Sequence, residues 1–283
     1  MTRKATLRFT ILGCGASPGV PRINGDWGAC DPAEPRNRRT RSAALVELLG
    51  DGKRPTRVVI DTGPDLRSQL IAAGVDAIDG VVYTHAHADH VHGIDDLRTF
   101  WIVQRQPVQV YTDDATQRRL DDAFGYCFRT QPGSSYPSFL VRNRIEPGTP
   151  IKVRGPSGAI ALLPFEQTHG DIISVGYRIG PIAYSCDFND IPEHSLPPLR
   201  DLDLWVLDAL RHRPHPSHCT MEEAVAWVER ITPKRAWLTH MTNDLDYQTL
   251  TDTLPDHIRP AYDGLSVDVE IIARVVQETS ASP

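Results

Sequence analysis

Four side chains of the kinds that bind metals lie within six residues of one another. His85, His87, Asp89 and His90 follow the apolar run 80–83, which predicts a buried strand that ends at this cluster. Imidazole and carboxylate are ligands that zinc and similar divalent metals prefer. On extended backbone the first two histidines point the same way and can bind one ion, while the other two residues come where the chain turns toward a helix. A metal site is therefore predicted, with a polar strand end as the alternative.

Three later positions carry side chains of the same kind. Each comes at the end of a run that predicts a strand, and they are His169, Asp187 and His240. Because functional side chains collect at strand ends in layered α/β folds, we expect them to join the first cluster. Seven ligands exceed the four that one zinc takes, so they suit two ions with a carboxylate between them. Any one of the three alone would also fit an ordinary polar strand end.

Two further residues could support this site. Asp61 follows the predicted strand 56–60, where its carboxylate can orient a ligand histidine by accepting that residue's second N–H. His218 comes just before Thr220, a residue suited to cap a helix. An imidazole there would lie beside the metal pocket and could act as a general acid or contact phosphate.

Basic and aromatic side chains in two loops are candidate substrate contacts. The long irregular segment 20–41 contains Arg39 and Arg41, and a solvated basic loop is an equally good interpretation. His215 is a weaker candidate, since a loop histidine usually faces solvent. The loop-rich region 127–150 mixes aromatic residues with arginines, which could stack on a base or form a packed lid.

Alternating strands and helices must position these residues. The predicted helices cover residues 65–73, 93–104, 113–126 and 220–231. The predicted strands cover residues 6–12, 42–49, 56–60, 80–83, 108–112, 159–169, 174–179, 181–185, 202–207, 236–239 and 265–276. Because no change in composition marks a boundary, we predict one domain over residues 1–283.

Composition limits the class of protein. A chain of 283 residues with 40% hydrophobic and 23% charged residues fits a globular protein with a sizeable core. A net charge of −6 argues against a polyanion binder, although a metal could attract a small anionic substrate. No apolar run approaches the ~18 residues of a membrane span, and no signal peptide is evident. Five scattered cysteines without a C-x-x-C pair predict the reducing cytoplasm.

The ordered ligand pattern resembles that of the metallo-β-lactamase-fold hydrolases, whose motif is H-x-H-x-D-H followed by His, Asp and His at strand ends. The resemblance covers nearly the whole chain. It implies an α+β fold, an αβ/βα four-layer sandwich of two mixed β-sheets flanked by helices. It also implies how the ligands divide between two ions: His85, His87 and His169 on one, Asp89, His90 and His240 on the other, and Asp187 on both.

The histidine before the capped helix is similar to the extra histidine of the phosphodiesterase branch of this family. With the glycine-rich turn 13–15 and the long loop after it, the chain most resembles the phosphoribosyl 1,2-cyclic phosphate phosphodiesterases. This implies attack on a small cyclic phosphodiester of a ribose phosphate or nucleotide by a hydroxide shared between two ions. Asp89 and Asp187 would hold the ions, and His218 would assist the leaving group or the phosphate. Zn²⁺, Mn²⁺ or Fe²⁺ would suit these ligands.

The implied partner is a small phosphorylated substrate, and a homodimer would be compatible with the resemblance. Neither nucleic acid nor a membrane is expected. The sequence departs from the branch in one respect. The branch carries a structural zinc on three loop cysteines and a histidine, whereas Cys30 alone remains here and Gly25, Trp27 and Asn243 stand at the other positions. We therefore expect no structural zinc, and the departure leaves the substrate open.

Three other functions are alternatives. A tRNA 3′-processing nuclease shares the metal ligands and the extra histidine, but needs a basic RNA-binding face that a net charge of −6 does not suggest. A lactonase or thioesterase would use the same ions on a carbonyl and would not need His218. A non-catalytic accessory protein of coenzyme biosynthesis has a similar opening turn but usually lacks a ligand, and none is missing here.

Overall fold

Two seven-stranded β-sheets form the centre of the structure, a computed structural model that describes residues 2–50 and 52–274. The strands are β1 (Thr2–Gly13), β2 (Ala43–Gly50), β3 (Lys53–Ile60), β4 (Gly80–Val82), β5 (Val108–Thr112), β6 (Leu140–Arg144), β7 (Ile151–Gly155), β8 (Gly158–His169), β9 (Ile172–Ile179), β10 (Ile182–Ser185), β11 (Leu204–Asp208), β12 (Ala236–Thr239), β13 (Ile258–Pro260) and β14 (Ser266–Arg274). The helices are α1 (Leu66–Ala72), α2 (Ala88–Val91), α3 (Arg98–Gln104), α4 (Asp114–Phe128), α5 (Met221–Ile231) and α6 (Tyr247–Thr253). Of the helices described, none has the length and apolar character needed to cross a bilayer.

Both sheets are mixed. The first has the order β14-β1-β2-β3-β4-β5-β6, antiparallel from β14 to β3 and parallel from β3 to β6. The second has the order β13-β12-β11-β10-β9-β8-β7, parallel from β13 to β10 and antiparallel from β10 to β7. Parallel neighbours need a crossover connection, and helices α1 to α4 lie in the crossovers of the first sheet.

Successive side chains along a strand point to opposite faces of the first sheet, and each face contacts a different layer. Val46 of β2 and Val58 of β3 are buried in a core that also contains Phe165 and Tyr177 of the second sheet. Leu45, on the opposite face of β2, belongs to a second core with residues of α1, α3 and α4. The helices therefore cover the outer face of the first sheet, and the two sheets pack on each other.

The second sheet is covered by α5. Trp227 of this helix packs edge-on against Trp205 of β11, with the ring centroids 6.5 Å apart. Thr220 caps the helix with its hydroxyl, and Glu223 completes a capping box, as the sequence around His218 predicted for the helix start. Two mixed sheets flanked by helices confirm the predicted α+β sandwich.

Some element boundaries differ from the predictions. The predicted helix 93–104 is a 3₁₀ turn followed by α3, and β7, α6 and β13 were not predicted. The region 127–150, predicted as loop-rich, contains the edge strand β6. That strand was missed because its last three residues are polar and its two apolar residues, Leu140 and Val141, are adjacent, so it lacks the apolar alternation that marks a half-buried strand. The last two residues of the predicted strand 265–276 lie outside the described residues.

Candidate metal centre

The predicted ligands meet where strands of both sheets end. The histidine-rich segment 84–90 follows β4 of the first sheet, and His169 is the last residue of β8 in the second. Asp187 comes two residues after β10, and His240 comes directly after β12. Residues far apart in the chain therefore share one site because four strands end at the same edge of the sandwich.

Three residues of the site have left-handed backbone. Asp61, Asp187 and His240 have φ values of 64°, 54° and 57°, in a region that residues other than glycine rarely adopt. Such a conformation costs about 1–3 kcal/mol and is concentrated at functional sites. In each case the chain turns sharply where a strand has just ended, and the turn sends the side chain into the site.

Four ligand atoms form a first group, from His85, His87, His169 and Asp187, all within 4.8 Å of one another. His169 Nε2 lies 3.2 Å from His87 Nδ1. Asp187 Oδ2 lies 3.6 Å from His85 Nε2 and 3.8 Å from His169 Nε2. Atoms that share an ion at about 2 Å must lie about 3–4 Å apart, so this group has the dimensions of a zinc site.

A second group contains His90, Cys186, Asp187 and His240. Asp187 Oδ1 lies 3.3 Å from His90 Nε2 and 3.0 Å from His240 Nδ1. The two oxygens of this carboxylate therefore face different groups, as a bridging ligand requires. Asp89, predicted as a ligand here, lies beside the group, with Oδ2 3.5 Å from His90 Nε2. That oxygen also accepts a hydrogen bond of 2.7 Å from Ser17.

Hydrogen bonds at the outer nitrogens turn the inner nitrogens of three histidines toward the ligand groups. His90 Nδ1 donates to Asp61 (2.8 Å), and His169 Nδ1 donates to the Ser217 carbonyl (2.6 Å). His85 Nδ1 lies 3.0 Å from the hydroxyl of Thr84, which itself donates to Asp61. These partners fix the tautomer that presents an Nε2 lone pair to a metal. Asp61 thus lies where its predicted orienting role requires.

Two of those inner nitrogens are unsatisfied. Within residues 2–50 and 52–274, the buried Nε2 atoms of His85 and His90 have no hydrogen-bond partner. A buried polar atom without a partner costs about 1–3 kcal/mol, so such atoms are rare unless a ligand satisfies them. Imidazole, carboxylate and thiol donors converge around both atoms. The residues present therefore fit divalent cations of the zinc type.

The electrostatics of the cluster also favour cations. Burial lowers the pKa of His85, of His169 and of His240, the last to about 3, so these rings are neutral at pH 7. Neutral imidazole is the form that binds a metal. Burial opposes the charged form of His90 as well, but the carboxylates around it outweigh burial and raise its pKa well above the ordinary value. The same carboxylates would stabilise a metal ion bound to His90.

His218 forms a buried pair with Asp208, the last residue of β11. Its Nδ1 donates to Asp208 Oδ2 over 2.7 Å, and the Phe188 amide donates to the same oxygen. His218 Nε2 points toward the cluster and lies 4.0 Å from Asp187 Oδ2. Burial opposes its protonation, but Asp208 raises the pKa of His218 to about 9. The sequence predicts this histidine beside the metal site but does not identify Asp208 as its partner.

The three predicted substrate contacts have two different outcomes. For Arg39 the prediction is wrong, because its side chain is 2% exposed and its guanidinium donates to the carbonyls of Thr242 (2.9 Å) and Leu245 (2.6 Å). Arg41 is partly exposed and donates to the Ser17 carbonyl beside Asp89. His215 is partly exposed, with its ring 5.0 Å from that of His218. For Arg41 and His215 a substrate role stays a prediction.

Arg39 instead ties the segment 20–41 to the chain after His240. We expect Arg39→Met to lower the free energy of unfolding by about 2–3 kcal/mol, because the partly buried Thr242 carbonyl and the Leu245 carbonyl would each lose their shortest, charged donor. Urea unfolding should show a lower midpoint with an unchanged slope. Arg38→Met is a matched control at an exposed neighbour and should stay within about 0.5 kcal/mol of the parent. Equal midpoints for the two variants would contradict this role.

The same loop and the segment after β12 contain the positions at which no structural zinc was expected. Asn243 donates to Asp26 (3.1 Å), and its carbonyl accepts from the Ala29 amide (2.8 Å). Cys30 Sγ lies 3.4 Å from the Leu245 carbonyl. These hydrogen bonds hold the loop to the segment after β12, and the absence of a structural zinc stays a prediction.

Comparison with known proteins identifies the family. Residues 56–241, which include every predicted metal ligand, match the model of the Beta-lactamase superfamily domain. The chain belongs to this superfamily. A crystal structure described as a new diphosphatase from the PhnP family has the metallo-β-lactamase fold and superposes with a TM-score of 0.84. It is 36% identical in sequence, and the match covers 96% of this chain and all of that one.

Two curated proteins with other named functions are also similar to this chain. An octanoyltransferase of Porphyromonas gingivalis is 33% identical over 266 residues, which are 93% of this chain and 52% of that protein. A ribonuclease Z of Methanopyrus kandleri is 27% identical over 163 residues, which are 56% of this chain and 50% of that protein. The chain thus spans about half the length of these curated relatives.

Proposed function

We propose that this chain is a hydrolase with two divalent metal ions that cleaves a small phosphodiester, a cyclic one of a ribose phosphate or nucleotide. The observation that carries the proposal is the Asp208–His218 pair. A buried carboxylate holds an imidazole with its second nitrogen 4.0 Å from the carboxylate between the two ligand groups. Attack on phosphorus expels an oxygen that needs a proton, and an imidazole in this place can supply one.

The predicted ligands would bind the two ions in two sets. His85, His87 and His169 would hold one ion and His90 and His240 the other, with Asp187 shared. When bound, the ions supply positive charge for the phosphoryl oxygens and lower the pKa of a water molecule. Asp89 would hold the second ion or its water through Oδ2, which accepts a hydrogen bond from Ser17.

His218 would act on the leaving group. Because Nδ1 donates to Asp208, the other ring proton of the charged imidazole is on Nε2 and faces the pocket. A pKa near 9 keeps this proton in place at neutral pH, and the ring can transfer it to the leaving oxygen. His215, whose ring lies 5.0 Å from that of His218, and Arg41, which pairs with Asp65 and donates to the Ser17 carbonyl, would contact other parts of an anionic substrate.

The comparisons support phosphorus over carbon as the reacting atom. The whole-length similarity is to a protein described as a diphosphatase, whereas the similarity to the octanoyltransferase covers half of that protein. The ribonuclease Z similarity extends over about half of this chain, and the net charge of −6 is unfavourable for binding a long RNA backbone.

A panel of substrates tests the proposal. Purified protein loaded with Zn²⁺ or with Mn²⁺ would be assayed on bis-p-nitrophenyl phosphate, a ribose cyclic phosphate, a precursor tRNA, a lactone and an octanoyl thioester. We expect turnover of the first two and none of the lactone or thioester. Turnover of the lactone or thioester without the phosphodiesters would overturn the proposal, and a strong preference for the tRNA would favour the nuclease.

A further inference from the structure

Cys186 is fully buried against the second ligand group. Its Sγ lies 2.8 Å from Asp187 Oδ1 and 3.5 Å from His240 Nδ1. Neither the family resemblance nor the proposed reaction gives this thiol a role. Sequence alternation would point it away from Asp187, and the left-handed turn at Asp187 brings both side chains to the same place.

An independent observation indicates a ligand at this point. His90 Nε2 is buried, has no hydrogen-bond partner among the residues described, and belongs to the same group as Cys186 Sγ. The four candidate atoms, from His90, Cys186, Asp187 and His240, all lie within 4.8 Å of one another. One sulfur, two imidazole nitrogens and one carboxylate oxygen make a four-ligand set that suits zinc.

We propose that Cys186 binds the second metal ion through its sulfur, together with His90, Asp187 and His240. The proposal rests on the metal centre of the proposed function. The thiol would release its proton to solvent as the ion binds, because the thiolate is the form that ligates metals. Asp89 would then be a weaker or additional ligand on the open side of the ion, beside Ser17.

The sulfur would make the two positions chemically different. Thiolate is a soft ligand that favours zinc, whereas manganese prefers oxygen ligands. The first position, with three histidines and a carboxylate, has no such ligand among the described residues. We therefore expect the second position to select Zn²⁺ or Co²⁺ strongly over Mn²⁺, and the first position to discriminate less.

X-ray absorption at the zinc edge of the unmodified, fully loaded protein tests this directly. The spectrum should contain a sulfur neighbour at about 2.3 Å in addition to nitrogen and oxygen at about 2.0–2.2 Å. Loading with Co²⁺ should give a thiolate-to-metal charge-transfer band in the near ultraviolet. Both signals should be lost in Cys186→Ser, with one metal equivalent bound more weakly. Both should persist in Cys127→Ser, which alters a buried thiol of the helix-side core.

The outcomes separate this inference from the proposed function. Two bound zinc equivalents with nitrogen and oxygen neighbours alone would overturn the role of Cys186 and leave the metal centre intact. Failure of the unmodified protein to bind zinc or cobalt at all would overturn both. Because the first test needs no variant, a folding defect in Cys186→Ser, checked by circular dichroism, would not obscure the result.

Discussion

Replacing His218 with alanine should lower kcat on a small phosphodiester by about 10²–10⁴-fold and leave two metal equivalents bound. The size of the effect is that typical of the loss of a general acid. The metal content should persist because neither ligand group includes His218. Steady-state kinetics on a ribose cyclic phosphate, whose alkoxide leaving group needs a proton, and metal analysis of the same sample provide the two measurements.

Two variants distinguish proton transfer from a structural defect. Asp208→Asn keeps a side chain of the same size beside His218 but removes the charge that raises its pKa, so its kcat should fall less than that of His218→Ala. His194→Ala removes an exposed histidine paired with Glu166 and should leave activity unchanged. A leaving group that needs no proton should also restore much of the rate in His218→Ala. Unchanged kcat in that variant, with the metals present, would exclude His218 from the reaction.

Asp187→Asn should lower activity by more than about 100-fold and reduce bound metal from two equivalents to one or none. Loss of a residue that only orients a metal ligand typically costs 10–100-fold in affinity or activity, and Asp187 contacts both ligand groups directly. The amide also lacks the charge that offsets two cations. Because Zn²⁺ stabilises only a protein that binds it, the rise in Tm on adding zinc should shrink or disappear.

The control for this variant is Asp256→Asn, an exposed position away from the cluster. It should bind two equivalents and show the parental rise in Tm. Retention of two tightly bound equivalents in Asp187→Asn would show that this carboxylate does not bridge the ions. The two binding positions would then have to be independent of each other.

The candidate metal ligands could be located from sequence because each one is marked locally. His85, His169 and His240 all come at or just after the end of a strand, and a strand has a short-range signature in its apolar residues. The same reasoning predicted the capped helix after His218 and the strands β2 and β3. The elements that were missed, such as β6 and β13, are short or polar. They are strands because they pair with a neighbouring strand, and their own residues carry little strand signal.

Contacts between distant residues were not visible in the sequence. Arg39 is of a residue type that often contacts anionic substrates. The carbonyls it binds lie more than 200 residues away, at Thr242 and Leu245. The pairing of Asp208 with His218 and the hydrogen bond from Ser17 to Asp89 likewise depend on how loops from different strands pack.

The sequence by itself therefore determined which side chains are available for metal chemistry and that they come at strand ends, because residue type and periodicity are local properties. The tertiary structure alone decided how they group. The left-handed turn at Asp187 directs its two oxygens to different groups and brings Cys186 into one of them, while Asp89 lies at the side. Backbone conformation of this kind is imposed by the surrounding packing, since an isolated aspartate would rarely adopt it.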